Sequence, residues 1–273
     1  MAKLLVVAHA LDDFRSRAWM IQSLFPFWLD AGHEIRVIEG PPAAGVQADL
    51  AFLHVDASCV PSEYVDAVRR FPVVVNGHEL DLRKSVRGDL GLQRNSDWQG
   101  PVIVKSDLNA GGVPEAKHND RARALGRPLP HPGLVPITEY GVFRALTEVP
   151  EVVWSSSGHV VERFLPERDE RGYWTHFWLF LGKQGRCRRF CSPHPVVKAG
   201  NSIDVETVDV PPEIVAVREQ LGLDYGKIDF VIHQGRPVVI DVNRTPAPSP
   251  TRTARGAGTP MLLAPGIEDF LRR

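Results

Sequence analysis

Two carboxylates and an amide near the C-terminus set the first chemical question. The run YGKIDFVIHQGRPVVIDVN, residues 225–243, reads as two apolar strands joined by a tight turn at Gly235, each strand carrying one acid, Asp229 and Asp241. Paired as an antiparallel hairpin, the two acids lie near one another across the ladder, both away from the turn. Asn243 follows Asp241 by two residues, so its side chain leaves the same face. Like charges at that range repel unless a cation sits between them. Three hard oxygens without imidazole or thiol suit Mg²⁺, or Mn²⁺, which completes its octahedron with water or phosphate oxygens. The alternative is that all three are strand-end polar groups met by solvent or paired with Lys227 and Arg244.

Two further stretches bear on that choice. In VIVKSDLNAGG an apolar strand ends at Lys105 and passes into a loop holding Gly111 and Gly112, where backbone N–H groups can approach an anion and the ammonium can neutralise it. The GxxxxGK[ST] spacing is absent and no helix is expected immediately afterwards, so this is not a Walker A loop; a simple turn is the plainer reading. In VVERFLPERD a strand becomes a loop at Leu165-Pro166, and the proline ends ladder pairing, leaving main-chain groups able to hydrogen-bond a purine. The group CRRFCSPH sets Cys187, Cys191 and His194 close together, but without an evident fourth zinc ligand it reads as two strand cysteines and a loop histidine.

The elements that must carry these residues fall into two styles. KLLVVA (3–8), EIRVIEG (34–40), ADLAFLHVD (48–56) and FPVVVNG (71–77) are strand-like, with helical spacing over 15–32, interrupted by Pro26, and over PSEYVDAVRRF from Pro61. Such alternation predicts a small open α/β unit with a largely parallel sheet. Beyond 101 the order changes. Residues 107–150 are rich in Gly, Pro and charge, and the one helix expected there is EYGVFRALTEV (139–149). HVVERFLP, YWTHFWLFLG and GRCRRFCS follow as strands with a hairpin turn at GKQG, then a helix over 211–222 and the hairpin. The tail RTPAPSPTRTARGAGTP is poor in apolar residues and is expected to be exposed.

Composition bounds the partners. The 273 residues are 43% hydrophobic, enough for one large domain or two modest ones, and 32 basic against 33 acidic residues provide no global field for nucleic acid or anionic membrane. LLVVAHAL is too short for a spanning helix and poorly shaped for a signal peptide, and three cysteines without a CxxC pair suit a reducing compartment. A cytoplasmic protein is expected.

In order along the chain, the lysine strand with its glycine loop, the E-x-F-L segment and the D-F-V … D-x-N hairpin resemble the ATP-grasp superfamily over roughly residues 101–246. That resemblance implies an N-terminal Rossmann-like pre-ATP-grasp α/β domain (1–80) and an α+β ATP-grasp domain with mostly antiparallel sheets (81–273). It implies two subdomains closing on ATP with Mg²⁺, a carboxylate activated as an acylphosphate, and attack by an amine or similar nucleophile with release of ADP and phosphate. Residue by residue, Lys105 would contact phosphates and the adenine edge, and Asp107–Gly112, including Asn109, Gly111 and Gly112, would be a lid over the phosphates. Glu162 and the main chain of Arg163 and Leu165 would read adenine, and Glu167 or Asp169 would hold the ribose. Asp229, Asp241 and Asn243 would be the metal ligands, and Lys227 would stand beside the γ-phosphate. The second metal carboxylate is usually glutamate in that family; here it is Asp241. Lys84 is a candidate upstream nucleotide lysine, although a helix-surface position is the commoner state of such residues, and Lys198 is a better candidate second phosphate cation.

Activation requires a group to hold the acid, and arginine's planar fork suits it. Arg244, beside Asn243, ranks first; Arg186 and Arg188 share a strand face, while solvated charge is an equal reading for Arg186 and Arg189. Arg252 and Arg255 of the tail are further candidates to close over a substrate. The expected partners are ATP, a small-molecule or peptide carboxylate and an amine acceptor, without nucleic acid or membrane; a homodimer is left open. Phosphoryl transfer to a hydroxyl, as in an ATP-grasp kinase, and nucleotide binding without turnover are the alternatives.

Overall fold

The computed structural model describes residues 1–78, 81–87, 89–248 and 254–272, with the side chains of 87 and 254–257 outside the description. Two compact units are formed, the first by Met1–Asp56, Val60–Glu79 and Pro166–Arg273, the second by Ala57–Cys59 and Leu80–Leu165.

The N-terminal part of the first unit contains β1 (Lys3–Ala8), α1 (Phe25–Asp30), β2 (Glu34–Glu39), β3 (Leu50–His54), α2 (Ser62–Val68) and β4 (Val74–Val75). All four strands run parallel in the order β2-β1-β3-β4, as their alternation with helical segments predicts. The helix expected over 15–32 is reduced to α1 and a 3₁₀ turn at Ile21–Ser23. Proline lacks the N–H a helix interior needs, so Pro26 sits in the first turn of α1 and the helix begins there.

The second unit holds α3 (Lys84–Arg87), β5 (Val102–Ser106), α4 (Val113–Ala124), β6 (Gly141–Phe143), α5 (Glu151–Trp154) and β7 (His159–Arg163). Its antiparallel sheet has the order β6-β5-β7 over a core of Val102, Val104, Leu146, Val149 and Val161. Two expectations fail here. The helix expected over 139–149 is instead β6 and a 3₁₀ turn at Leu146–Glu148, because the free edge of β5 takes Gly141–Phe143 as a pairing partner. A helix does follow the glycine loop at once: α4 starts at Val113.

The chain re-enters the first unit at Pro166 and builds β8 (Glu167–Asp169), β9 (Gly172–Leu181), β10 (Gln184–Ser192), β11 (Asp204–Val208), α6 (Pro212–Gln220), β12 (Tyr225–His233), β13 (Arg236–Asn243), α7 (Ala254–Leu263) and α8 (Glu268–Leu271). An antiparallel sheet results, ordered β11-β10-β9-β12-β13 with β8 on β9. Leu4, Val6, Phe52 and Val75 of the parallel sheet share one core with Leu179, Leu181, Tyr225, Leu263 and Phe270, which is why both stretches belong to one unit. The described part of the tail is less exposed than its composition predicts: Arg244 and Thr245 are 1% and 3% exposed, and α7 packs on β10. Arg252 lies outside the described residues, as does the Arg255 side chain.

Candidate functional site

The hairpin forms in the expected register. Gln234 and Gly235 have φ of 51° and 77°, the left-handed pair that a two-residue turn needs, and Asp229 stands directly opposite Asp241, Lys227 opposite Asn243. A bulge follows Asp229, where pairing shifts by one residue before Phe230.

The ladder carries this face further. Asp229 is opposite Phe177 on β9, Phe177 is opposite Arg188 on β10, and Arg188 is opposite Thr207 on β11. Directly opposed residues project to the same side, so Asp241, Asp229, Phe177 and Arg188 form one row. The adjacent row, two residues on, is Asn243, Lys227, Leu179 and Arg186. One sheet face thus brings together Asp229, Asp241, Asn243, Lys227, Arg186 and Arg188. With strands about 4.8 Å apart, Arg188 lies roughly 10 Å from Asp229 along the row.

Within it, Lys227 Nζ is 2.8 Å from Asp229 Oδ2 and 4.6 Å from the centre of the Phe177 ring. The donor set offered to a cation is all oxygen, two carboxylates held side by side plus the Asn243 amide, and it fits Mg²⁺ or Mn²⁺. Asn243 Oδ1 accepts the Thr245 N–H at 2.8 Å, which fixes the orientation of the amide and leaves that oxygen a second lone pair.

The arginines separate by environment. Arg188 is 6% exposed and no carboxylate pairs with it among the described residues; burial, then the like charge of Arg186, lowers its pKa. Arg189 projects to the opposite face, where it meets Glu206 at 2.5 Å and lies over Trp174. Arg186 reaches Thr259 Oγ1 of α7 at 3.4 Å. Arg244 is buried away from solvent, a poorer place to receive an incoming acid than the sequence suggests. Lys198 is exposed in the loop after β10. Asp169 is exposed at the end of β8, accepting the Arg171 N–H at 2.9 Å, while Glu167 meets His176 at 3.1 Å and the Ile232 N–H at 2.6 Å. Cys187 and Cys191 are buried strand residues, with burial pushing the Cys187 thiol up to about 12, and His194 is exposed, the plainer of the two readings.

In the second unit, Lys105 and Glu162 form a buried ion pair, Nζ to Oε2 2.8 Å, because Glu162 lies opposite Ile103, two residues from Lys105 on the same face. Lys84 is 8% exposed with Nζ 3.1 Å from the Leu108 carbonyl, so it is not a helix-surface lysine; Asp107 binds Ser85 N–H at 2.7 Å and its hydroxyl at 2.9 Å. Both lysines therefore flank the start of the glycine turn. Asn109–Gly112 is a tight turn with Asn109, Gly111 and Gly112 buried and with left-handed φ at Ala110 (47°), Gly111 (72°) and Gly112 (78°). A Cβ on Gly111 would stand 2.5 Å from the Ile137 carbonyl oxygen. Arg163 spends its main-chain N–H on Leu90 O at 2.9 Å, leaving it no free donor for a purine. Leu165 lies past the end of β7, where the chain leaves this unit.

Other buried polar residues were not singled out by their spacing. α4 buries Glu115, His118, Asn119 and Ala122, a helical stripe with three polar side chains and one methyl; Glu115 Oε1 accepts the Ser58 N–H at 2.7 Å. In the first unit, Asp12 and Asp56 are buried just beyond β1 and β3, and desolvation raises the Asp12 pKa to about 6. Their position after apolar parallel strands is the signal that could have marked them.

No protein-family model and no curated protein sequence matches the chain. Solved structures match at the level of fold. D-alanine–D-alanine ligase from Bacillus anthracis aligns with a TM-score of 0.52 at 12% identity, over 100% of this chain and 96% of that one. A RimK domain ATP-grasp protein from Sphaerobacter thermophilus DSM 20745 gives 0.51 at 16% identity, over 100% of both chains. Macrocyclase MdnC of Microcystis aeruginosa MRC, bound with precursor peptide MdnA, gives 0.50 at 9% identity, over 96% and 99%. The Bacillus anthracis ligase complexed with ATP gives 0.51 at 13%. The chain has the ATP-grasp fold.

Proposed function

We propose that this protein is an ATP- and Mg²⁺-dependent ligase that activates a carboxylate as an acylphosphate and joins it to an amine or similar nucleophile, releasing ADP and phosphate. The observation that carries this reading is the single sheet face on which two opposed carboxylates, an amide, a lysine and a nearly buried arginine with no carboxylate partner among the described residues are aligned. The ATP-grasp fold supports it, and the parallel sheet of β1 to β4 would correspond to a pre-ATP-grasp domain, although it shares one core with the C-terminal sheet.

Asp229, Asp241 and Asn243 would hold Mg²⁺, which when bound supplies charge neutralisation for the nucleotide's phosphates. Lys227 would sit beside the γ-phosphate, its charge steadied by Asp229. Arg188 would hold the acid being activated, since a guanidinium kept out of water without a partner binds a carboxylate strongly. In the second unit Lys105 would meet nucleotide phosphate, fixed by Glu162; Lys84 and the turn Asn109–Gly112 would provide further cation and N–H donors. Leu165 would offer main-chain groups to adenine. Asp169 and Lys198 remain outlying candidates for ribose and phosphate.

Pooled carboxylic acids and amines, offered with Mg²⁺ and ATP, test this by ADP release. A ligase yields ADP only with an acid present, and hydroxylamine traps the acylphosphate as a hydroxamate. A phosphorylated hydroxyl product would mean a kinase. Stabilisation by ATP and Mg²⁺ without any ADP would mean a binding protein.

A further inference from the structure

Asn243 is tied by hydrogen bonds to a residue far away in sequence. Its Oδ1 accepts the Thr245 N–H, and the Thr245 hydroxyl lies 3.3 Å from the same oxygen but 2.7 Å from Asp56 Oδ1. A hydroxyl has one proton, and the closer, charged acceptor takes it, so Thr245 donates its main-chain N–H to Asn243 and its side chain to Asp56. Both residues are sealed from solvent, Thr245 at 3% and Asp56 at 5% exposure. The other oxygen of Asp56 meets Arg17 Nη1 at 3.2 Å, and its main-chain N–H donates to Asp12 Oδ2 at 3.2 Å, an oxygen that also accepts the His9 N–H at 2.9 Å. The Asp56 carboxylate is thereby held on both oxygens and through its own backbone.

The anchor lies at a defined place in the fold. From β1 the chain builds β2 on one side and then β3 on the other, so the loops after β1 and β3 diverge, and Asp12 and Asp56 belong to those two loops. The C-terminal edge of the parallel sheet and the end of β13 are thus joined through Asp56 and Thr245. Among the described residues, Thr245 supplies the hydrogen bonds that set the Asn243 side chain beyond the hairpin ladder.

We infer that Asp56 and Thr245 are positioning residues for Asn243: the carboxylate fixes the threonine, and the threonine aims the amide oxygen toward the cation that Asp229 and Asp241 share. Neither touches the cation or the nucleotide. The inference rests on the metal reading of the hairpin, and it adds two residues whose removal should weaken that site while leaving its ligands in place. Partners that orient metal ligands in this way typically govern affinity by about 10- to 100-fold.

The test measures Mn²⁺ affinity by electron paramagnetic resonance in the presence of a non-hydrolysable ATP analogue, beside thermal melts without metal or nucleotide. Thr245→Val keeps the shape and deletes the hydroxyl; its apparent Mn²⁺ affinity should fall about 10-fold, and Thr245→Ser should restore it. Asp56→Asn should show an intermediate loss, because the amide oxygen can still accept the threonine hydroxyl. Asp241→Asn serves as the control for the metal site itself. If Asp241→Asn loses Mn²⁺ while Thr245→Val and Asp56→Asn keep wild-type affinity, the positioning role is overturned and the metal reading stands. If Thr245→Ser fails to restore what Thr245→Val loses, the hydroxyl is not the acting group and the inference is likewise overturned. If Asp241→Asn binds Mn²⁺ as wild type does, the metal reading falls and the inference with it. Should Thr245→Val melt too low to assay, Asp56→Asn against wild type decides.

Discussion

Two lysine–carboxylate pairs, each 2.8 Å long, lie in opposite circumstances. Lys105 and Glu162 in the second unit have side chains 10% and 7% exposed; Lys227 and Asp229 in the first have 25% and 12%. The buried pair sits across a strand ladder, where removing one partner strands the other in a low dielectric. The more open pair joins residues two apart on one strand, and partial solvation screens it. Lys105 is thus a structural element of its sheet, and Lys227 is held more loosely. On the proposed reading Lys105 is already held by Glu162 before a ligand arrives, whereas Lys227 would trade its hold on Asp229 for a phosphate when a cation enters.

The sharpest way to break that contrast is to delete each ammonium in turn. Lys105→Ala should lower unfolding stability by about 3–5 kcal/mol in chemical denaturation, through the unpaired Glu162 left behind; a loss near zero would make the two pairs equivalent. Lys105→Ala with Glu162→Ala should recover much of that loss, since the stranded charge is then gone.

His54 sharpens the contrast by showing what burial does without a partner. It is wholly buried, neither ring nitrogen has a hydrogen-bond partner among the described residues, and Phe14, Trp19 and Tyr225 surround it; desolvation lowers its pKa from 6.5 to about 3. The unfolded chain therefore takes the proton first. Its contribution to stability is complete above pH 6.5 and is lost progressively as pH falls toward 3. By pH 4 this amounts to about 3 kcal/mol, and His54→Phe should flatten the acid limb of a stability–pH curve by that order while changing little at pH 7.

Gly111→Ala should cost about 1–3 kcal/mol, from the left-handed φ and the Ile137 carbonyl in its way, measured by thermal melting. Lys227→Ala should be the mildest in stability, within about 1 kcal/mol, while lowering turnover far more than it lowers the melting temperature. Equal losses in both would deny the open pair its separate role.

How much of this was legible follows from which signals are local. The hairpin register, β1 and α6 could be read because apolar runs of strand length, a glycine turn and paired prolines are written in adjacent residues. α4 was hidden because its buried stripe is Glu115, His118, Asn119 and Ala122, so the helical period carries no apolar signal. β6 is three residues long and exists because β5 needs an edge partner. The burial of Lys84 and Arg244 depends on tertiary surroundings that residue type opposes. The bond from Asp56 to Thr245 spans 189 positions, and nothing local to either residue announces it.

The central claim is that the face bearing Asp229, Asp241, Asn243 and Arg188 carries the metal-bound nucleotide and the acid. A crystal soaked with Mg²⁺, a non-hydrolysable ATP analogue and a carboxylate substrate found by ADP release tests it most directly. The account predicts Mg²⁺ on the oxygens of all three hairpin residues, with the acid on Arg188. Mg²⁺ held elsewhere, with the three side chains turned apart, would contradict it.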